Sequence, residues 1–101
     1  MNKCMISQPM KGLTDEEILA VREKAIAEIE NMGYEFKNSY FSDFSIISVN
    51  EINIPVLYLS KSIEIMAECK AVYFCKGWDS ARGCTIEHEI AKKYGLVCIY
   101  E

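Results

Sequence analysis

The sequence predicts an α/β domain of the flavodoxin or Rossmann-like type, a three-layer sandwich around a parallel sheet. Short, wholly apolar runs alternate along the chain with segments of helical period. This is the pattern of parallel strands that are covered on both faces by helices. A chain of 101 residues, half of them hydrophobic, suits one compact domain with a single core. We therefore expect one α/β domain over residues 1–101.

The first half of the chain supplies a strand, a well-marked helix and a short second strand. Lys3–Ser7 is an apolar run and predicts the first strand. Thr14 with Glu17 three residues later is a capping-box signature, so a helix should begin there. Its apolar stripe consists of Ile18, Val21, Ala25, Ile29 and Met32. Gly33 is expected to end this helix, and the alternation at residues 34–37 predicts the second strand.

The second half repeats the pattern after a stretch without a period. Residues 38–53, rich in Ser and Asn, are expected to form a variable loop. Pro55 suits the first turn of a helix that ends near Cys69, with an inward stripe of Leu59, Ile63, Met66 and Ala67. The remaining elements are buried strands at 71–75 and 96–100 and a helix at about 84–94. We expect four parallel strands in the order 2-1-3-4, joined by right-handed crossovers.

Composition argues against several classes of partner. The net charge is −4 and no basic run occurs, so binding to a nucleic-acid polymer is not expected. No apolar run reaches the length of a membrane span, and the N-terminal run is too short for a signal peptide. Five cysteines without zinc-knuckle spacing and one histidine indicate reduced thiols and no metal site. A cytoplasmic protein without membrane, metal or cofactor is the expectation.

The expected strand order places a ligand crevice between the first and third strands. In open parallel sheets, ligands bind beyond the carboxyl ends of the strands, where the strand order reverses. The loops that leave these two strands are residues 8–12 and 76–83. Both contain Gly and polar residues, and both lead towards helix N-termini, where free amides favour anions. The sequence thus predicts a pocket for a small anionic or polar ligand.

Glu87 is the acidic residue that this crevice singles out. On a helical wheel it shares a face with Ile90, Ala91 and Tyr94, whereas Glu89 points outward and pairs with Lys93. The positive end of the helix should favour its ionised form. An oriented, ionised carboxylate facing a crevice is suited to act as a nucleophile or general base. The alternative is that Glu87 caps local amides or pairs with a basic residue.

The loop before this helix contains further candidates, each with a plainer alternative. Arg82 is suited to a phosphate or carboxylate, although loop arginines are often solvated. Asp79 and Ser80 can hydrogen-bond a hydroxyl-rich ligand or serve as turn residues. Trp78 can stack on a base or sugar, or cover the edge of the third strand.

Three segments in the same order resemble the nucleoside 2-deoxyribosyltransferase-like proteins, in particular a branch of short bacterial and phage members. They are Ile6-Ser-Gln-Pro-Met-Lys-Gly12, the strand entry Cys69-Lys-Ala-Val-Tyr-Phe, and Gly77-Trp-(x)4-Gly83-(x)3-Glu87-(x)3-Ala91-(x)3-Gly95. Together with the segments between them they extend over nearly the whole chain, except the region 38–53.

The resemblance implies a glutamate nucleophile at Glu87. In such enzymes this glutamate attacks the anomeric carbon of a deoxyribonucleoside, and a second base or water then takes the sugar. The logic parallels that of retaining glycosidases. The resemblance also implies a homo-oligomer and a nucleoside or 5′-monophosphate substrate. By position, the substrate contacts would be Gln8, Pro9, Met10, Gly12, Ser80, Arg82 and Gly83.

The sequence departs from the family pattern at three positions. Ser62 stands where the enzymes carry an aspartate that contacts the base, and Lys70 replaces a second aspartate. Ala81 stands at a position that is commonly serine, with Ser80 one residue earlier. Two further interpretations therefore stay open. The chain is a binding module that takes up a nucleotide or nucleotide-sugar without turnover, or it is an oligomeric accessory protein in which Glu87 is a cap.

Overall fold

A computed structural model describes residues 2–38 and 52–101 of the chain. These residues form a parallel sheet of four strands in the order β2-β1-β3-β4 and three α-helices. The strands are β1 (Lys3–Ser7), β2 (Glu35–Phe36), β3 (Ala71–Phe74) and β4 (Val97–Tyr100). The helices are α1 (Asp15–Asn31), α2 (Ile54–Met66) and α3 (Arg82–Lys93), with a 3-10 turn at Trp78–Ser80 before α3. The predicted fold class and strand order are confirmed.

The sheet separates the core into two layers. Ala71 and Tyr73 of β3 lie in the cluster that contains Ala25 and Ile29 of α1. Val72 and Phe74, which alternate with them along the strand, point to the opposite face. They pack with residues of α2 and α3, including Met66 and Ala91. Because helices cover both faces, every residue of β3 is buried. This explains why the strand is apolar throughout.

Helix α1 begins and ends at the residues that the sequence indicates. Both hydrogen bonds of the capping box are present, from the Glu17 amide to Thr14 Oγ1 at 3.1 Å and from the Thr14 amide to Glu17 Oε1 at 3.0 Å. After the last turn the chain passes through Gly33, whose φ of 88° lies in the left-handed region that favours glycine. Met32, predicted on the apolar stripe, is exposed because it is the C-cap residue, at the end of the helix.

The element boundaries in the second half differ slightly from the prediction. Asn53 caps α2 by accepting a hydrogen bond from the Val56 amide at 3.2 Å, and Pro55 lies in the first turn as expected. Helix α3 begins at Arg82, two residues earlier than the sequence suggested. The predicted variable loop at 38–53 falls almost entirely outside the described residues. Within the described residues, no helix is long and apolar enough to cross a membrane.

Three further predictions about burial are wrong. The last strand was expected to be buried, but β4 lies at the edge of the sheet, and Val97 and Tyr100 are exposed. Tyr94, predicted on the inward face of α3, is 81% exposed, because it follows the end of the helix. Ile63 and Ala67 of the predicted α2 stripe are also exposed. A groove of about 540 Å³ is lined by Ile63, Met66, Ala67, Ile90, Tyr94 and Leu96.

Candidate functional site

The carboxyl ends of β1 and β3 meet at the centre of the sheet. Ser7 and Phe74, the last residues of the two strands, are paired in register. The loops 8–12 and 76–83 therefore leave the sheet side by side. They also approach each other further on, because a Cβ atom placed on Gly77 would lie 3.6 Å from Cγ of Pro9. The two predicted loops thus lie together at the carboxyl ends of the strands, where parallel folds bind ligands.

Glu87 is buried next to the last residue of β1, and it points inward as its position on the helical wheel predicts. Only 6% of the residue is exposed, and its neighbour on the same face, Ala91, is fully buried. The Ser7 hydroxyl donates a hydrogen bond of 2.6 Å to Glu87 Oε1. Ser7 itself is 1% exposed. The end of the central strand β1 and the inner face of α3 are thus joined by a buried hydroxyl–carboxyl contact.

The pKa of Glu87 is shifted in the direction opposite to the one that the sequence predicts. Burial, the largest effect, raises the pKa of the Glu87 carboxyl above its ordinary value of 4.5, and hydrogen bonds from Ser7 and Ser62 act against the rise. The sequence predicts instead that the positive end of the helix favours the ionised form. Because α3 begins at Arg82, Glu87 lies in its second turn, beyond the first turn in which that effect is concentrated.

Two further side chains complete the surroundings of Glu87. Ser62, in α2, interacts with the carboxyl from a different element than Ser7 does. Cys84 lies one turn before Glu87 on the same side of α3 and is buried. Burial raises the pKa of the Cys84 thiol to about 11, with a smaller increase from the Glu87 charge and a decrease from a hydrogen bond with Ser7. The thiol is therefore protonated at neutral pH.

Among the predicted contacts of the first loop, Gln8 is directed towards α1. Its Nε2 donates to the Ile18 carbonyl at 2.8 Å, and its Oε1 accepts from Arg22 Nη1 at 3.2 Å. Pro9 is half-buried, whereas Met10 and Gly12 are exposed. The structure thus places the Gln8 side chain against α1, and the rest of the loop at the surface.

The predicted residues of the second loop divide in a similar way. Trp78 packs on the ring of Phe74, with centroids 5.4 Å apart, and on the imidazole of His88 at 4.1 Å. It therefore covers the end of β3, one of the two roles considered for it. The His88 ring in turn contacts Tyr100, whose hydroxyl lies 2.7 Å from Nε2. The exposed candidates in this loop and at the start of α3 are Asp79, Ser80, Arg82 and Gly83.

Ser7 and Cys84 are the members of this site that sequence reasoning missed. Ser7 is the polar last residue of β1 and follows three apolar ones, and the predicted strand order places that end next to the third strand. Cys84 precedes Glu87 by three residues, which is the spacing of one helical face. Both signals were present in the sequence, but neither residue type is distinctive at such a position.

The arrangement is suited to carboxylate chemistry. A buried carboxyl that two hydroxyl groups support can attack an electrophilic carbon or exchange a proton with a bound ligand. Within residues 2–38 and 52–101, no group of three His, Cys, Asp or Glu side chains is arranged to hold a metal ion.

Comparisons with known proteins gave one match. Neither a search of curated proteins nor a search of solved structures found a significant similarity. A family model described as "Domain of unknown function (DUF4406)" matches residues 2–100. Because the match extends over almost the entire chain, the protein belongs to the DUF4406 family.

Proposed function

We propose that this protein is an N-glycosidic enzyme that transfers or hydrolyses the 2-deoxyribosyl group of a deoxyribonucleoside or its 5′-monophosphate. The observation that supports this most is the placement of Glu87. Its carboxyl is buried at the carboxyl end of the central strands and accepts a 2.6 Å hydrogen bond from Ser7. A fixed carboxylate next to a ligand crevice is what nucleophilic attack on an anomeric carbon requires.

The proposed reaction proceeds in two displacements. A carboxylate oxygen of Glu87 forms a bond to C1′ of the sugar while the C1′–N bond breaks, and the departing base takes the electron pair and gains a proton from water. In the second step, the oxygen of water or the nitrogen of an acceptor base attacks C1′ and loses its proton to the solvent. The Glu87 carboxylate leaves with the electron pair of its ester bond, so the enzyme is regenerated without a cofactor.

Residues at the edge of the site suit such a substrate. Arg82, exposed at the start of α3, is chemically suited to a 5′-phosphate. The exposed Ser80 can hydrogen-bond a sugar hydroxyl. Trp78 presents a partly exposed aromatic ring near the same edge. In this proposal these residues bind the substrate, and Gln8 holds the first loop in place.

Product analysis with a matched pair of variants tests the enzymatic proposal. The protein is incubated with each deoxynucleoside and 5′-monophosphate, with and without an acceptor base, and free and exchanged bases are separated by chromatography. Glu87→Gln should reduce base release to background, whereas Glu89→Gln, at an exposed position of the same helix, should retain it. Absence of base release by the unmodified protein, or equal release by Glu87→Gln, would refute the proposal.

A second candidate function is binding without turnover. It is favoured by the interaction of Ser62 with Glu87, at a position where the enzymes that the sequence resembles carry an acid, and by the raised pKa of Glu87. A raised pKa increases the share of the protonated carboxyl, which is a weak nucleophile but can donate a hydrogen bond to a ligand. Saturable binding of a nucleotide or nucleotide-sugar in calorimetry, with no product from any substrate, would establish this function instead.

We also propose that the protein is cytoplasmic, and that it acts as a homo-oligomer, as the resemblance implies. The exposure of Ile63 and Tyr94, which line the same groove, supports the oligomer, because large apolar side chains grouped at a surface favour association. Light scattering coupled to size exclusion gives the mass directly. A monomer at micromolar concentration would contradict this part of the proposal.

A further inference from the structure

The hydrogen bond between Ser7 and Glu87 joins two residues that are 80 positions apart in the chain. Both side chains are almost fully buried, so this contact forms without direct competition from bulk water. The hydroxyl belongs to a strand at the centre of the sheet, which is the most rigid part of such a fold. A carboxyl held from that position has a defined orientation.

The direction of this hydrogen bond determines what it does to the carboxyl. Ser7 is the donor and Glu87 Oε1 the acceptor, and a donated hydrogen bond stabilises the ionised form of a carboxyl. The Cys84 thiol, protonated because burial raises its pKa to about 11, is a donor as well. Since a serine hydroxyl has one proton, a Ser7 hydroxyl that donates to Glu87 does not donate to the Cys84 sulfur at the same time.

We propose that Ser7 is the positioning residue of this site: by donating its hydroxyl proton to Oε1 of Glu87, it orients the carboxyl and keeps it ionised for attack on the sugar. This inference rests on the proposed function. The same contact acts in both displacements, since the hydrogen bond weakens when the carboxylate becomes an ester and re-forms when the carboxylate leaves.

Among the groups around Glu87, Ser7 contributes most to stabilising the ionised carboxyl. Burial opposes ionisation, and Ser7 is the larger of the two hydrogen-bonding contributions that favour it, with Ser62 of α2 the smaller. Cys84 is the neighbouring titratable group on α3. In the part of the chain that the structure describes, no charged side chain of β1, α2 or β3 contributes to the shift of the Glu87 pKa.

Two measurements on Ser7→Ala test the inference. With the proposed substrates, kcat should fall roughly ten- to a hundredfold with little change in KM, the effect expected for a lost hydrogen bond to a charged group. The acidic limb of the pH–rate profile should move to higher pH, because the carboxyl ionises less readily. Ser7→Thr retains the hydroxyl and should therefore keep kcat and the acidic limb close to those of the unmodified protein. Ser60→Ala, at an exposed serine of α2, should change neither kcat nor the acidic limb.

A titration of Glu87 by carbon NMR separates this inference from the proposed function. The Glu87 signal is assigned by its loss in Glu87→Gln, and its pKa should be higher in Ser7→Ala and in Ser7→Cys than in the unmodified protein. An unchanged pKa would overturn the role of Ser7 even if the protein is an active enzyme. If the unmodified protein is inactive but the Ser7 variants raise the pKa of Glu87, only the enzymatic proposal is refuted. Failure of both variants to fold would assign Ser7 a structural role and also overturn the inference.

Discussion

Arg22 of α1 donates a hydrogen bond from Nη1 to Oε1 of Gln8 at 3.2 Å, and both side chains are buried. The same amide donates to the Ile18 carbonyl. Gln8 therefore fastens the loop after β1 to the helix that follows it. Its place in the first motif suggested a substrate contact, but both ends of its amide are engaged within the protein. The geometry favours a structural contribution that can be measured separately from activity.

Replacement of Gln8 by Ala should lower the free energy of unfolding by about 1–3 kcal/mol, because it removes a buried acceptor from the Arg22 guanidinium. Urea denaturation at neutral pH measures this loss. Lys11→Ala, in the same loop but exposed, serves as the control and should change stability by no more than about 0.5 kcal/mol. Equal stability of the two variants would show that the Gln8 contact is not structural.

Glu87 should make stability depend on pH in the direction opposite to most carboxylates. Its folded pKa is raised above 4.5, so the folded state binds the proton more tightly than the unfolded state does. The contribution of Glu87 to the free energy of unfolding is fully present below the pKa of the unfolded state. It is lost as pH rises through the pKa of the folded state. Relative to the unmodified protein, Glu87→Gln should therefore gain stability as the pH rises above 4.5.

Denaturant titrations of both proteins at several pH values measure this difference. Glu89→Gln is a suitable control, because Glu89 is exposed and forms a surface pair with Lys93 at 3.2 Å. If the stabilities of Glu87→Gln and the unmodified protein change in parallel with pH, the pKa of Glu87 is not raised.

Two glycines of the site region should respond in opposite ways to replacement by Ala. Gly77 has a φ of 90°, and a side chain there costs roughly 1–2 kcal/mol. Gly83 lies in the first turn of α3, with open space around the position of a Cβ, so Ala should stabilise the protein by about 0.5–1 kcal/mol. Thermal unfolding of the two variants measures both changes in stability. Stabilisation by Gly77→Ala would contradict the positive φ.

The apolar stripe of α1 allows a test of the core. Ile29 is fully buried in the layer between α1 and the sheet, whereas Leu19 of the same helix is half-exposed. Ile29→Ala should cost about 2–5 kcal/mol. Leu19→Ala should cost less than about 1 kcal/mol, because most of the removed surface is already in contact with water. Similar losses in chemical denaturation would contradict the assigned faces of the helix.

Much of the fold could be predicted because its signals are local. The capping box at Thr14 and the glycine after α1 are short-range features, and the apolar run of β3 reflects burial on both sides. The prediction was wrong where burial depends on the position of a whole element. The last strand has the same apolar composition as β3, yet it lies at the sheet edge, and no periodicity within it reports that position.

The site was predictable only in part for the same reason. The inward direction of Glu87 follows from spacing along one helix. Its contact with Ser7 requires the strand order and the register between β1 and β3, and the direction of its pKa shift requires the depth of burial. For Gln8 the position in the motif was misleading, because it does not reveal that the side-chain amide is hydrogen-bonded to α1. The catalytic role of Glu87 stays a prediction.

The pairing of β1 with β3 also has a consequence for folding kinetics. Cys4 of β1 pairs with Ala71 of β3, so the centre of the sheet closes only when the two ends of a long intervening chain segment meet. Such pairings must overcome the entropy of loop closure before they gain contacts, and they slow folding relative to helical bundles of similar size. The Ser7–Glu87 contact depends on this closure. It should therefore form late in folding, together with the native sheet.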